Sequence, residues 1–431
     1  MRPGARIAAA IEVLSDIIER HRPASTALAD WGRAHRFAGS GDRSAIGNLV
    51  YDALRCRNSI AWRMQSDTPR ALIIGAAPAA MGLSAEEVAD FIDGAPHSPE
   101  PLTEEERTGL SREVGDDAPA HVRGDFPEWL SASLERAFGD RMGQEGAALA
   151  KRAPVDLRVN ALKATREKVL KALERQGAEA TPLSPIGVRI PAPSGGARSP
   201  NVEAETAHGK GWFEVQDEGS QLTALLAGAK PRQQVLDLCA GAGGKSLAFA
   251  AAMQNTGQAY AYDRDKLQLR PIFERLKRAG ARNVQVMDAG NEEALLALGP
   301  RFDVVLVDAP CSGSGTWRRR PDSKWRLTEE NVATRLEDQK NVLATAAKMV
   351  KPGGRIVYVT CSVLPQENCD QVRWFCEAHE GFQVVPYADE WQQQLGTVAP
   401  VSSSADPIGL QLTPAVHGTD GFYIAILSKV A

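Results

Sequence analysis

Five short apolar runs spaced along the C-terminal half constrain the fold most: VLDLC (235–239), QAYAYD (258–263), NVQVMD (283–288), FDVVLVD (302–308) and RIVYVT (355–360). Each is strand-sized and rich in Val or Tyr, and stretches of helical length separate them. Two of these are DKLQLRPIFERLKRAG (265–280) and TEENVATRLEDQKNVLATAAKMVK (328–351), the second followed by Pro352 and two glycines. Strands alternating with helices predict an α/β fold, a doubly wound and mostly parallel sheet. GFYIAIL (421–427) is expected to close one edge of that sheet as an antiparallel strand.

An open sheet of this kind gathers ligands at the carboxyl ends of its strands. Cys311 in DAPCSGSGT (308–316) and Cys361 in VTCS (359–362) both follow such ends, so both thiols should open into one cleft. VLDLC runs into AGAGGKS (240–246), a glycine turn through which backbone amides can approach a nucleotide-like ligand. A P-loop would need glycine where Cys239 stands, and a dinucleotide fingerprint would need it at Ser246. Asp263, twenty residues beyond Gly243, suits a ribose, and Asp288 at the next strand end suits an adenine amino group. Ribose and adenine without phosphate match S-adenosyl-L-methionine. A dinucleotide, or glycines that only turn a strand into a helix, remain the alternatives.

Methylating carbon 5 of a pyrimidine needs a thiolate to add at carbon 6, an acid near ring nitrogen 3, and help in the elimination that follows. Asp308 and the two thiols are sufficient for this. Most free cysteines are inert packing, and Cys56, Cys369 and Cys376 are read that way, as is the side chain of Cys239. No CxxC pair occurs, so neither zinc nor any other metal is expected.

The run GSGTWRRRPDSKWRL (313–327) interleaves Arg318, Arg319, Arg320, Lys324 and Arg326 with Trp317 and Trp325. Cations beside aromatics suit a polynucleotide, with a solvated loop and buried tryptophans as the plainer reading. The net charge of −4 hides an uneven distribution: residues 1–64 are arginine-rich and 84–128 acidic. The apolar run from Ala71 to Leu83 is interrupted by Gly75 and Pro78 and is too short for a membrane span. Glu12 and Asp16 disfavour a secretory signal, which leaves the cytoplasm as the expected compartment.

Upstream of the sheet, apolar residues from Ile7 to about Leu83 recur at helical spacing, as in DRSAIGNLVYDALR, which Asp42 can cap. PHSPEPLTEEERTGL (96–110) reads as an exposed connection, and FPEWL (126–130) starts a second helical piece. LRVNALKA (157–164) and GVRIPAP (187–193) read as strands flanking a helix from Thr165 to Gly177, followed by the loop PSGGARSPN (193–201). The expected units are therefore 1–125, 126–214 and 215–431.

LRVN, VQDEGSQL (215–222), LDLCAGAGGKS, DAPCSGSGTWRRRPDSKW, TCS and HGTDGFYIAIL (417–427) resemble the Nol/Nop/Sun family of RNA cytosine-5 methyltransferases over roughly 126–431. GSGDRSAIGNLVYDALR (39–55) is similar to the NusB-like RNA-binding domain ahead of bacterial RsmB-type members, whose substrate is small-subunit ribosomal RNA. The resemblance implies a Rossmann-like methyltransferase domain after an α+β RNA-binding module. It implies Cys361 as nucleophile, Cys311 as the residue assisting release, and Lys245 supporting the acid Asp308. Cys239, Ala240, Gly241, Ala242, Gly243, Gly244 and Lys245, with Asp263, Asp288 and Asp308, would hold S-adenosyl-L-methionine. Arg158 and Asn160 of LRVN would join Arg318, Arg319, Arg320 and Lys324 at the RNA. Gly241 and Ala242 depart from the alanine and proline common in the family turn. The same chemistry on transfer RNA, or a non-catalytic ribosome-assembly role on this fold, are the competing functions.

Overall fold

The computed structural model describes residues 1–431 except 194, 198, 199, 407 and 431. Three of these lie in the stretch expected to be the 193–201 loop, which to that extent falls outside the described residues. Twelve strands occur among the described residues: β1 (Val155–Val159), β2 (Glu179–Ala180), β3 (Gly187–Ile190), β4 (Phe213–Val215), β5 (Gln234–Asp237), β6 (Gln258–Ala261), β7 (Val284–Val286), β8 (Phe302–Asp308), β9 (Val350–Thr360), β10 (Phe382–Val385), β11 (Leu410–Leu412) and β12 (Phe422–Lys429).

The C-terminal sheet runs β10-β12-β9-β8-β5-β6-β7, with β11 also paired to β12. The five strands from β9 to β7 pair in parallel, and β12 is antiparallel to its neighbours. Val304, Val305, Leu306 and Val307 of β8 are all buried, as expected of a strand covered by helices on both faces. The doubly wound expectation is met. The antiparallel strand, however, lies one place inside the edge. Residues 423–427 of β12 are apolar and buried on both faces, so β10 and β11 flank the strand instead of solvent. The stretch 265–280 is two helices, Lys266–Leu269 and Ile272–Ala279, broken at Pro271, which lacks the N–H that would continue the ladder.

A four-stranded antiparallel sheet, β2-β3-β1-β4, packs Leu157, Val159, Val188 and Phe213 against Val169 and Leu173, from the Arg166–Ala172 helix and its end. Ahead of it, the helices Pro3–Arg20, Ala24–Ala34, Ser40–Arg55, Arg57–Met64 and Pro69–Met81 share one apolar core. The 96–110 stretch is more ordered than an exposed connection. Thr103 accepts the Glu106 N–H at 3.2 Å and Glu106 accepts the Thr103 N–H at 3.0 Å, a reciprocal cap that starts a helix over Glu104–Ser111. Arg70 then grips the Glu106 carboxylate at 2.7 Å, tying the acidic segment to the bundle. No single helix among the described residues is long and apolar enough to cross a membrane.

Candidate active site

β8 and β9 are adjacent and parallel, so the segments leaving their carboxyl ends lie side by side. Cys311 and Cys361 stand on those segments with their sulfurs 3.4 Å apart. The loops are laced together: the Gly315 N–H donates to the Cys361 carbonyl at 2.9 Å, and the Ser314 and Ser362 hydroxyls meet at 2.9 Å. Under both lies Glu367, fully buried, which accepts hydrogen bonds from Ser312 and Ser362. The contact with Cys361, then burial, holds the Cys311 thiol well above the usual range.

The thiols open into a cleft of about 1140 Å³ lined also by Cys239, Ala240, Gly241, Ala242, Gly244, Lys245, Asp263, Asp308 and Arg320. Asp263 accepts the Gly241 N–H at 2.8 Å and the Asp265 N–H at 2.8 Å, which locks the next strand end to the glycine turn. Gly241 has φ +50°, and a Cβ added there would meet nothing within 4 Å, so the backbone lies open to the cleft. Gly243 serves packing instead. At φ +81° its missing Cβ would strike Ile272 at 2.4 Å, so glycine lets the Ile272–Ala279 helix close on the turn. Lys245 Nζ bonds Asp308 Oδ2. Burial pulls the Lys245 pKa down, the Asp308 charge pushes it up, and the upward push prevails. Asp288 is exposed and is not among the residues lining the cleft, so the structure does not bring it to the others.

Four of the expected RNA contacts need correction. Arg158 is buried and donates to Gln216 Oε1 at 2.6 Å and the Gly244 carbonyl at 2.5 Å, bracing the glycine turn from the α+β module. Asn160 is buried between the Gly211 and Ala279 carbonyls, at 2.9 and 2.8 Å. Arg318 is buried against Asp217 and Asp420, and Lys324 against the Arg55 and Asp125 carbonyls. In each case buried acceptors from segments distant in sequence need a donor, and the side chain supplies it. Arg319 shares the two aspartates with only part of its side chain exposed, while Arg320 is exposed at the cleft. Trp317 is buried and Trp325 half-buried, as in the plainer reading of the run.

Three contributors were not foreseen. Asp237 ends β5 and accepts the Ser246 hydroxyl at 2.6 Å, and burial pushes it up to about 7. Arg275 donates to the Ala242 carbonyl at 2.7 Å, the second arginine on the turn. Glu367 could have been noticed only as a carboxylate six residues after Cys361. Of the thiols read as packing, burial lifts Cys56 to about 12 and Cys369 to about 11, far from nucleophilic.

The family model described as 16S rRNA methyltransferase RsmB/F matches residues 224–428, and the RsmF/B-like ferredoxin-like domain matches 126–195. The "Probable ribosomal RNA small subunit methyltransferase B" of Synechocystis sp. is 32% identical over 310 residues, covering 70% of this chain and 67% of its own length. The ribosomal RNA small subunit methyltransferase B of Photorhabdus laumondii subsp. laumondii is 33% identical over 305 residues, covering 70% of this chain and 66% of its own. These alignments span about two thirds of the curated relatives' length. A crystal structure of a methyltransferase homolog protein from Pyrococcus horikoshii, 26% identical, superposes with a TM-score of 0.60 over 72% of this chain and 98% of that chain.

Proposed function

Because the chain belongs to the RsmB/F family of 16S rRNA methyltransferases, we propose that it is an S-adenosyl-L-methionine-dependent enzyme forming 5-methylcytidine in small-subunit ribosomal RNA. The observation that carries this reading is the pair of sulfurs 3.4 Å apart in the cleft that also holds the Lys245–Asp308 pair. The open backbone at Gly241 and the Asp263 carboxylate fit a nucleoside cofactor without phosphate, with Cys239, Ala240, Gly241, Ala242 and Gly244 forming the cradle. When bound, that cofactor supplies an electrophilic methyl group.

In this reading Cys361 adds as thiolate to carbon 6 of a cytosine turned out of its helix. Asp308, paired with the Lys245 ammonium, faces ring nitrogen 3, and a proton drawn from that ammonium through Asp308 stabilises the charge that develops there. After carbon 5 has been methylated, its proton passes to a water molecule acting as base, the carbon–sulfur bond breaks, and the electron pair returns to Cys361. Cys311, which holds its own proton tightly, donates a hydrogen bond to the departing sulfur.

Division into a NusB-like helical unit (1–125), an α+β RNA-binding module (126–214) and the catalytic domain (215–431) belongs to the same proposal. The Lys168 and Lys210 ammoniums, 4.0 and 5.3 Å from the Trp212 ring, support an RNA face on the module. Cytoplasmic residence follows from the same ribosomal target.

Cys361→Ala should abolish methyl transfer and leave RNA affinity within about twofold, because no phosphate contact is lost. Cys311→Ala should accumulate a protein–RNA adduct that survives denaturing electrophoresis. Turnover by the Cys361 variant would refute the mechanism. Bisulfite mapping of a deletion strain against its complemented parent tests the target, and loss of a transfer RNA signal with ribosomal RNA unchanged would refute the ribosomal assignment.

A further inference from the structure

Two thiols in contact cannot do different work unless something distinguishes them, and their surroundings differ sharply. Glu367, 0% exposed, sits at the end of the 3₁₀ turn Pro365–Glu367. Its Oε1 accepts the Ser312 N–H at 2.7 Å and Gln339 Nε2 at 3.1 Å. Its Oε2 accepts the Ser362 hydroxyl at 2.5 Å together with the Ser312 hydroxyl. Ser312 follows Cys311 and Ser362 follows Cys361, so one carboxylate ties both thiol loops, the first through backbone and side chain and the second through its side chain. Gln339 extends the tie by donating to the Pro310 carbonyl at 2.9 Å, and the Tyr358 hydroxyl donates to Glu367's own carbonyl at 2.6 Å.

All these side-chain partners are neutral donors, and burying a carboxylate without a counter-ion is costly compared with burying a neutral amide. Packing alone would be served as well by glutamine. The charge has a use beside the thiols, because a negative group next to Cys311 disfavours a second negative charge there. Lys245 and Asp308 face the pair from the cofactor side, and Asp237 lies behind them. Glu367 is bonded to the residue after Cys311 through both its N–H and its hydroxyl and to the residue after Cys361 through the hydroxyl alone, so its negative charge lies on the Cys311 side of the pair.

We infer that Glu367 is a positioning residue that clamps the two cysteine loops at contact distance and directs the proton of the thiol pair to Cys311. The inference rests on the proposed division of labour between the thiols. Without the carboxylate, Cys311 is no longer held against Cys361 and loses one of the groups that favour its protonated form, so the step that suffers is elimination: loss of the carbon 5 proton to water, cleavage of the carbon–sulfur bond and return of the electron pair to Cys361.

The test is Glu367→Gln, which keeps the shape and can still accept two of the four hydrogen bonds while the serine hydroxyls rotate to accept from its amide. Incubated with RNA and S-adenosyl-L-methionine, the variant should accumulate a methylated, denaturant-resistant adduct. Steady-state turnover should fall on the order of 100-fold, the lower end of what a positioned proton-transfer group contributes, with RNA affinity unchanged. Glu367→Asp should restore part of the turnover. If Glu367→Gln turns over like wild type, or slows without adduct, the inference is overturned. Should that variant fail to fold, Ser312→Ala with Ser362→Ala removes the hydroxyl ties, and with them the bond from the Cys361 loop to the carboxylate, while leaving the charge, and the absence of adduct there overturns the clamp. Cys311→Ala, run in parallel, separates the two failures. If it traps adduct and the Glu367 variants do not, only this inference falls; if it traps none, the release role of Cys311 falls first.

Discussion

Asp237 carries a titration visible in stability. Its Oδ2 accepts the Ser246 hydroxyl, but its Oδ1 is buried with no hydrogen-bond partner, and burial followed by the nearby Asp308 charge pushes it up to about 7. A carboxyl raised in the folded state stabilises most below its unfolded pKa, and that contribution is lost as pH climbs through the folded value. Asp237→Asn removes the ionisation, so in the absence of cofactor the variant should gain on wild type between pH 5 and pH 8. The gap, read from urea unfolding at the two pH values, should widen by about 2–3 kcal/mol; a constant gap would show that the carboxyl is already ionised at pH 5. Cys311 and Cys361 were legible in the sequence because their place follows from strand ends and their chemistry from residue type. Asp237 and Glu367 were not, since what singles them out is burial among partners from distant segments.

Arg318 and Arg320 are two residues apart in one basic run and meet opposite fates, which is why that run misled as a unit. Arg318 is 5% exposed and pairs with Asp420, just before β12, and with Asp217, whose carboxylate also caps the Glu218–Leu226 helix through the Gly219 N–H at 2.8 Å. Three elements therefore meet on one guanidinium. Arg318→Met leaves two buried carboxylates short of a partner and should cost about 3–5 kcal/mol in chemical denaturation. Arg320→Ala should leave stability within about 0.5 kcal/mol, weaken RNA binding, and lower the slope of log affinity against log salt by about 1. Equal salt slopes for wild type and the Arg320 variant would remove Arg320 from the interface. At this scale the parallel strands were legible from their uninterrupted apolar runs, whereas β10 and β11 were not. β10 is only partly buried and β11 is three residues long, too weak a period to read.

The helical unit joins the catalytic domain through a plug from the same basic run. The Pro321–Arg326 helix inserts Lys324, whose ammonium donates to the Arg55 and Asp125 carbonyls at 2.7 and 2.5 Å. Next to it, Trp325 Nε1 donates to the Leu54 carbonyl at 2.6 Å, and the Arg57 guanidinium lies 5.4 Å from the ring. Asp322 accepts the Ala24 N–H at 3.3 Å, and Arg152 of the 126–214 unit reaches Asp52 beside it. Each unit has an apolar core of its own, so what couples them is this polar seam with one aromatic, not a shared hydrophobic interior. Wild type should therefore unfold in one thermal transition. Lys324→Met with Trp325→Ala orphans three carbonyls and removes the ring, on the order of 3–6 kcal/mol of coupling if each buried unsatisfied carbonyl costs 1–2 kcal/mol. That loss should split the calorimetric trace in two, the catalytic half still moving upward on addition of S-adenosyl-L-methionine, since a ligand stabilises only the unit that binds it. A single transition merely shifted to lower temperature would mean that the bundle cannot stand without the plug, and that residues 1–125 are part of the catalytic domain's folding unit and not a module set beside it.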